Sequence, residues 1–110
     1  EAEHVFIKSG LDLFQNKKNV KIFEMGYGTG LNCLLTYNWA RTKKNSIEYH
    51  GIEKYPLLEP EISDLYKPFD EFNISEALFK AGWESVNSID PFFKFSRCNG
   101  NGVQFFLALC

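Results

Sequence analysis

Three glycines alternate along the chain, directly after an apolar run and directly before a helical pattern. The run at residues 20–25 leads into Gly26, Gly28 and Gly30, and leucine spacing typical of a helix begins at Leu31. Glycine permits backbone angles that other residues avoid, and it lets a ligand approach the main chain. The amino end of the following helix offers N–H groups and a positive dipole end, which suit a carboxylate or a phosphate. The sequence therefore predicts a strand, a ligand-binding loop and a helix in direct succession.

Hydrophobic periodicity predicts how the rest of the chain is organised. Residues 20–25 read as a strand buried on both faces, residues 31–42 as a helix with an apolar face, and residues 47–53 as a second strand. A second helix is expected from Pro56 to Pro68, and a third over residues 75–83 with Leu78, Phe79 and Trp83 facing inward. Residues 1–7 suggest a small strand or an anchored arm.

The last part of the chain reads as a β-hairpin over residues 92–109. Phe93 and Phe95 alternate with polar residues, and Val103 and Leu107 alternate after the glycine-rich turn at residues 98–102. The Asn-Gly pairs in that turn are a strong hairpin signal. Strand, helix, strand and helix followed by a hairpin indicate an α/β fold, the beginning of a doubly wound parallel sheet. Ligands bind such sheets outside the carboxyl ends of the strands.

The glycine spacing distinguishes between two classes of nucleotide-like ligand. The dinucleotide fingerprint G-x-G-x-x-G fails in both frames, because Leu31 and Cys33 stand where the third glycine belongs. G-x-G-x-G with Glu24 before it matches instead the first motif of class I methyltransferases, which bind S-adenosylmethionine. Glu53, at the end of the second strand, provides a carboxylate that can accept hydrogen bonds from both ribose hydroxyls. Two structural alternatives stay open: Glu24 could fix the loop, and Glu53 could be solvated and paired with Lys54.

Composition limits the other classes of function. The chain has 110 residues and is 45% hydrophobic, which predicts one packed domain. Its formal net charge of −2 gives no overall attraction to nucleic acid, and the pairs Lys17–Lys18 and Lys43–Lys44 read as solvated loop ends. Three cysteines without a C-x-x-C pair indicate no disulfide framework and no zinc site, and they fit a cytoplasmic protein. No apolar run approaches the length of a membrane span, and the lone histidines His4 and His50 are interpreted as non-catalytic.

Four stretches of the chain resemble one methyltransferase family. Residues 24–32 (EMGYGTGLN) are similar to its E-x-G-F-G-T-G-L-N stretch, and residues 52–57 (IEKYPL) are similar to S-F-E-K-F/Y-P-L. Residues 1–7 resemble its E-x-x-Y/H-V-F-L segment, and residues 92–109 resemble a strand pair. The resemblance is to the methyltransferase domain that finishes 5-methylaminomethyl-2-thiouridine in tRNA, the MnmC-like family. Tyr27 stands where the family usually has Phe.

The resemblance implies a Rossmann-like domain that binds S-adenosylmethionine and methylates the aminomethyl nitrogen of the wobble uridine in tRNA. Residues 1–110 would form a single incomplete domain, the cofactor-binding half, because the family continues into a D-x-F-A-P strand beside a central first strand. The isolated chain is then expected to be inactive and to self-associate through an exposed sheet edge. No catalytic residue and no metal ligand is assigned. The residues expected to bind the cofactor are Glu24, Gly26, Tyr27, Gly28, Thr29, Gly30, Asn32, Glu53 and Lys54.

Two other functions remain open at this point. A dinucleotide-binding oxidoreductase would use the same strand, loop and helix, although the glycine spacing does not match its fingerprint. A non-catalytic interaction module could keep the half-fold without binding a methyl donor. The methyltransferase interpretation makes one demand that the alternatives do not: the glycine loop must be free of its own side chains, at the tip of a central strand.

Overall fold

A computed structural model describes residues 10–14, 16–28, 30–55, 67–100 and 103–108. In chain order, the longer elements are β1 (Asn19–Met25), α1 (Leu31–Lys43), β2 (Ser46–Glu53), α2 (Ser75–Lys80), β3 (Asn87–Asp90), β4 (Phe93–Asn99) and α3 (Val103–Ala108). Short 3-10 helices cover Leu11–Phe14 and Lys67–Phe69. The predictions for residues 1–7, for Thr29 and for the helix across residues 56–66 lie outside the described residues, as does the Phe79 side chain.

Four strands form one mostly parallel sheet in the order β1-β2-β4-β3. β1 pairs with β2 and β2 with β4 in parallel, whereas β3 runs antiparallel to β4. The predicted α/β fold with a parallel crossover and a C-terminal hairpin is confirmed. The carboxyl ends of β1, β2 and β4 share one edge of the sheet, so the residues that follow these strands lie near each other.

The hairpin is formed by different residues from those expected. Its arms are β3 and β4, joined at Pro91, and the predicted return strand over residues 103–109 is wrong because Val103–Ala108 is helical. Asn99 ends β4 as the parallel partner of Glu53, so the Asn-Gly turn is not free to reverse the chain. An apolar run such as residues 105–109 does not by itself distinguish a strand from a buried helix segment. The helix contacts β2 and β4.

The core lies between α1 and one face of the sheet. Leu34 and Tyr37 of α1 are fully buried, and they belong to one cluster with Tyr49 of β2 and Phe93 and Phe95 of β4. The rings of Tyr37 and Phe93 pack edge to face with centroids 5.3 Å apart, a favourable aromatic geometry. The predicted helix is therefore confirmed, and its inward residues are aromatic as well as aliphatic.

β1 is less buried than its sequence suggests. None of its residues is fully buried, and Met25 is 76% exposed. The cause is its position: within the described part of the chain, β1 is an outer strand that pairs only with β2. The expectation of a strand buried on both faces is wrong for these residues, and the expected central position of the first strand is not met among them.

His50 is satisfied inside the fold and reaches no surface. The side chain is fully buried, with Nδ1 2.5 Å from Ser96 Oγ and Nε2 2.9 Å from Glu48 Oε2. Ser96 is also fully buried, so a substrate would have no access to this pair. Hydrogen bonding to both ring nitrogens makes His50 a core residue, in agreement with its interpretation as non-catalytic.

Candidate functional site

The glycine loop turns the chain from the carboxyl end of β1 into α1. Gly26, Gly28 and Gly30 all have left-handed backbone angles, with φ of +83°, +58° and +82°. Non-glycine residues adopt this region at a cost of about 1–2 kcal/mol, so the alternating glycines follow from the backbone path. Gly30 occupies the position before the first turn of α1, and no side chain caps that helix end. The helix therefore begins at the loop with its positive end turned toward it.

The backbone of β2 holds the start of the loop. The carbonyl oxygen of Ile52 accepts hydrogen bonds from the N–H groups of both Gly26 and Tyr27, each at 2.9 Å. Gly30 N–H then donates to the carbonyl of Tyr27 at 3.0 Å. These bonds fix the turn against the neighbouring strand. The space beside Gly26 is open, because a Cβ placed there would meet no heavy atom within 4 Å.

Glu53 lies at the end of β2 and contacts the loop directly. Its Oε1 accepts the N–H of Gly28 at 2.7 Å, and its Oε2 accepts the N–H of Tyr55 at 3.0 Å. A carboxylate offers about four acceptor positions, so each oxygen can accept one further hydrogen bond. The loop is therefore not free of side chains, as expected from the sequence; one of its N–H groups is bound by the expected ribose ligand.

Glu24 is held by protein groups on both of its oxygens. Tyr49 O–H donates to Oε1 at 2.6 Å, and the Asn32 side-chain amide donates to Oε2 at 2.8 Å. Burial raises the pKa of the Glu24 carboxyl; the bonds from Tyr49 and Asn32 act in the opposite direction, and the nearby charge of Glu53 raises this pKa further. The structure thus brings Glu24, Asn32 and Glu53 together, with Glu24 joining β1 to the first turn of α1.

Tyr27 faces the core rather than the open side of the loop. It is 5% exposed, and its ring lies against Gly51 of β2, where an added Cβ would be 2.4 Å from Tyr27 Cδ2. Tyr27 also hydrogen-bonds the Cys33 thiol, whose pKa is raised by burial. Lys54, in contrast, is exposed, with Nζ 5.4 Å from the centroid of the Tyr55 ring. The cofactor-binding predictions therefore divide into loop groups, a buried anchor and a solvent-exposed lysine.

Comparison with known proteins was made next. A Leptospira interrogans protein named "tRNA 5-methylaminomethyl-2-thiouridine biosynthesis bifunctional protein MnmC" is 33% identical over 117 residues, covering 99% of this chain and 18% of the relative. The Campylobacter fetus protein of the same name is 36% identical over 80 residues, covering 66% of this chain and 13% of the relative. The chain belongs to the MnmC family. It spans less than a fifth of the length of these MnmC proteins.

The fold agrees with a solved structure from the same family. MNMC2 from Aquifex aeolicus superimposes with a TM-score of 0.56 at 22% identity, covering 86% of this chain and 29% of that one. No protein-family model matches the chain. Within the described part of this MnmC-family chain, no helix is long and apolar enough to cross a membrane. The same residues contain no group of three or more His, Cys, Asp and Glu side chains that could hold a metal ion.

Three contributors to the MnmC loop were not identified from the sequence. They are Tyr49, which holds Glu24; Gly51, which makes room for Tyr27; and the Ile52 carbonyl, which holds the start of the loop. One signal was available, because a glycine inside a strand often marks a close approach by another group. The alternation of β2 places Tyr49 and Gly51 on the same face.

Replacing Gly51 by alanine is expected to lower the free energy of unfolding by about 2 kcal/mol. The added Cβ would overlap the Tyr27 ring, which has the β2 backbone behind it and cannot move without shifting the loop. Urea titration followed by circular dichroism measures the change. Gly51→Ala combined with Tyr27→Ala should recover part of the loss, and a single variant as stable as wild type would contradict this packing.

Replacing Glu24 by glutamine is expected to change how stability depends on pH. The pKa of Glu24 is raised above 4.5 in the folded chain, so the folded state binds more protons than the unfolded state above that pH. The contribution of Glu24 to the free energy of unfolding therefore falls as the pH rises from 4.5 through its folded pKa. Urea titrations of wild type and Glu24→Gln across this range should show the wild type losing stability relative to the variant. A relative gain by the wild type would contradict the assignment.

Proposed function

We propose that the protein is an S-adenosylmethionine-dependent methyltransferase and that this chain forms its cofactor-binding part. The observation that supports this most is the juxtaposition of an open, left-handed glycine loop with the Glu53 carboxylate at the end of the adjacent parallel strand. Parallel α/β sheets bind nucleotide-like ligands at this edge. The spacing G-x-G-x-G favours a sulfonium nucleoside over a dinucleotide.

The residues present fit such a cofactor in two respects. Glu53 uses one acceptor position on each oxygen for the protein and has one left on each, which matches the two hydroxyls of a ribose. Gly26 leaves open space beside its Cα, so the methionine part of the cofactor can approach the main chain. The uncapped amino end of α1 suits the carboxylate of that part. Glu24 and Asn32 would hold the loop and the helix in place, and Lys54 would border the site.

The proposed acceptor is the aminomethyl nitrogen of the wobble uridine in tRNA. Its support is the name of the relatives: forming a 5-methylaminomethyl group from an aminomethyl group requires one N-methylation. S-adenosylmethionine supplies a methyl group on a sulfonium, and the amine must be neutral to accept it. The part formed by this chain would hold the donor in position, which lowers the entropic cost of the displacement. No residue of the chain is assigned to proton transfer, and the reaction is placed in the cytoplasm.

Calorimetric titration tests the ligand class. The protein is expected to bind S-adenosylmethionine and S-adenosylhomocysteine at least about tenfold more tightly than NAD, a difference of about 1.4 kcal/mol in binding free energy. NAD binding that equals or exceeds that of the sulfur nucleosides would support a dinucleotide-binding oxidoreductase instead. Absence of binding to all three ligands by a folded protein would support an interaction module.

Self-association through the outer edge of β1 is a second part of the proposal. Among the described residues β1 pairs on one side only, and its N–H and C=O groups on the other side can form a ladder with another strand. Sedimentation velocity of the 110-residue chain should show a weight-average mass that rises with concentration. A chain that sediments as a monomer at every concentration would contradict this part.

A further inference from the structure

Six lysines from four segments of the chain meet at the amino end of the sheet, opposite the glycine loop. All six are exposed. Two precede β1, one lies in β1, two lie at the end of α1, and one lies in β4: Lys17, Lys18, Lys21, Lys43, Lys44 and Lys94. We call this surface the lysine edge. It contains half of the 12 Lys and Arg residues of the chain, so the net charge of −2 conceals a strong asymmetry.

Main-chain hydrogen bonds fix the two lysine pairs beside each other. Ser46 N–H donates to the carbonyl of Lys18 at 2.7 Å, and the Asn45 side-chain amide donates to the carbonyl of Lys17. The turn after α1 is fixed as well, because Lys44 adopts a left-handed conformation and its N–H bonds to Ala40. The lysines are thus carried by ordered backbone, although they are far apart in the sequence.

A second row of charge crosses the sheet next to these pairs. Lys21, Glu48 and Lys94 are register partners on adjacent strands and share one face. With neighbouring strands about 4.8 Å apart, the two lysine Cα atoms are separated by about 10 Å. Glu48 lies between them, 3.2 Å from Lys21 Nζ and 2.9 Å from His50 Nε2, so it offsets part of the positive charge. A cavity of about 470 Å³ opens here, lined by both lysines and by the polar Asn19 and Ser46.

We propose that the lysine edge binds the phosphate backbone of RNA. Exposed ammonium groups neutralise phosphates and release their counterions, which is the main source of affinity in such contacts. Asn19 and Ser46 supply the uncharged hydrogen-bonding groups that commonly accompany these lysines at phosphates and sugars. The choice of RNA among polyanions rests on the proposed function. The strands between the lysine edge and the glycine loop span about 20 Å, so an RNA held at this edge would extend toward the other end.

Fluorescence anisotropy with a fluorescein-labelled RNA hairpin tests the proposal over a series of KCl concentrations. The first edge variant is Lys17→Gln with Lys18→Gln, and the second is Lys43→Gln with Lys44→Asn, where asparagine tolerates the left-handed backbone. Each is expected to raise the Kd about fivefold and to reduce the slope of log Kd against log salt by roughly 1.4, or about 0.7 for each lost contact. The matched control, Lys67→Gln with Lys80→Gln, removes the same charge elsewhere and should change the Kd less than about twofold.

Three results would overturn the proposal: unchanged Kd and slope in both folded edge variants, an equal loss in the control, or tighter binding to phosphatidylserine-containing vesicles that the edge variants abolish. Circular dichroism of each variant establishes that it is folded. Titration with S-adenosylhomocysteine separates the two proposals, because edge variants should bind it as the wild type does. RNA binding without nucleoside binding would overturn the proposed function and leave the lysine edge intact, and the reverse result would overturn the lysine edge alone.

Discussion

Replacing Gly26 by alanine is expected to weaken S-adenosylhomocysteine binding about a hundredfold or more, about 2.7 kcal/mol of binding free energy. A Cβ at this position would meet no protein atom within 4 Å, so it would project into the space that we assign to the ligand. The same change should lower the free energy of unfolding by only about 1–2 kcal/mol, the cost of alanine at a φ of +83°. Calorimetric titration measures the first quantity, and urea titration measures the second.

Gly100→Ala is the matched control for this prediction. Its Cβ would lie 3.5 Å from the nearest atom of Lys54, an ordinary contact, and no left-handed angle is involved. We expect less than about a twofold change in affinity, well under 1 kcal/mol. If Gly26→Ala binds S-adenosylhomocysteine as tightly as wild type while remaining folded, the ligand does not approach this face of the loop.

Replacing Glu53 by glutamine is expected to produce a loss of similar size. Glu53 would donate two acceptor positions to ribose hydroxyls, and hydrogen bonds to a charged group contribute about 1.5–3 kcal/mol each. Glutamine can retain the bond from Gly28 N–H through its carbonyl oxygen, but its amide nitrogen cannot accept a second hydroxyl. Affinity for S-adenosylhomocysteine should therefore fall about a hundredfold by calorimetry.

Glu71→Gln provides the control, because Glu71 is exposed and is distant in sequence from the loop. It removes the same charge and should leave the affinity unchanged. Glu53→Asp keeps the carboxylate on a shorter side chain and should recover only part of the binding. A Glu53→Gln variant that binds like wild type would show that Glu53 serves the loop alone, which was one of the two structural alternatives considered from the sequence.

The sequence predicted the elements that carry the site better than it predicted the contacts within it. The strands and the helix around the loop have strong local signals: an apolar run, glycines and helical spacing in direct succession. The contacts of Tyr27 with Gly51 and of Glu24 with Tyr49 join residues about 25 positions apart. Such pairs depend on the register of β1 against β2, which local periodicity does not specify.

The errors have physical causes of the same kind. Val103–Ala108 alternates in polarity like a strand, yet it forms a helix that packs against β2 and β4. Lys17–Lys18 and Lys43–Lys44 look like separate solvated ends in the sequence, and only the turn at Asn45 brings them side by side. In both cases tertiary contacts decide between local interpretations that the sequence leaves equally possible.

A crystal structure of the protein with S-adenosylhomocysteine tests the central claim most directly. We predict that both ribose hydroxyls lie within hydrogen-bonding distance of Glu53, about 2.5–3.0 Å from its oxygens, and that the homocysteine part lies against Gly26 and Gly28. A nucleoside bound elsewhere, for example in the cavity between Lys21 and Lys94, with Glu53 still bonded only to main-chain N–H groups, would contradict the account.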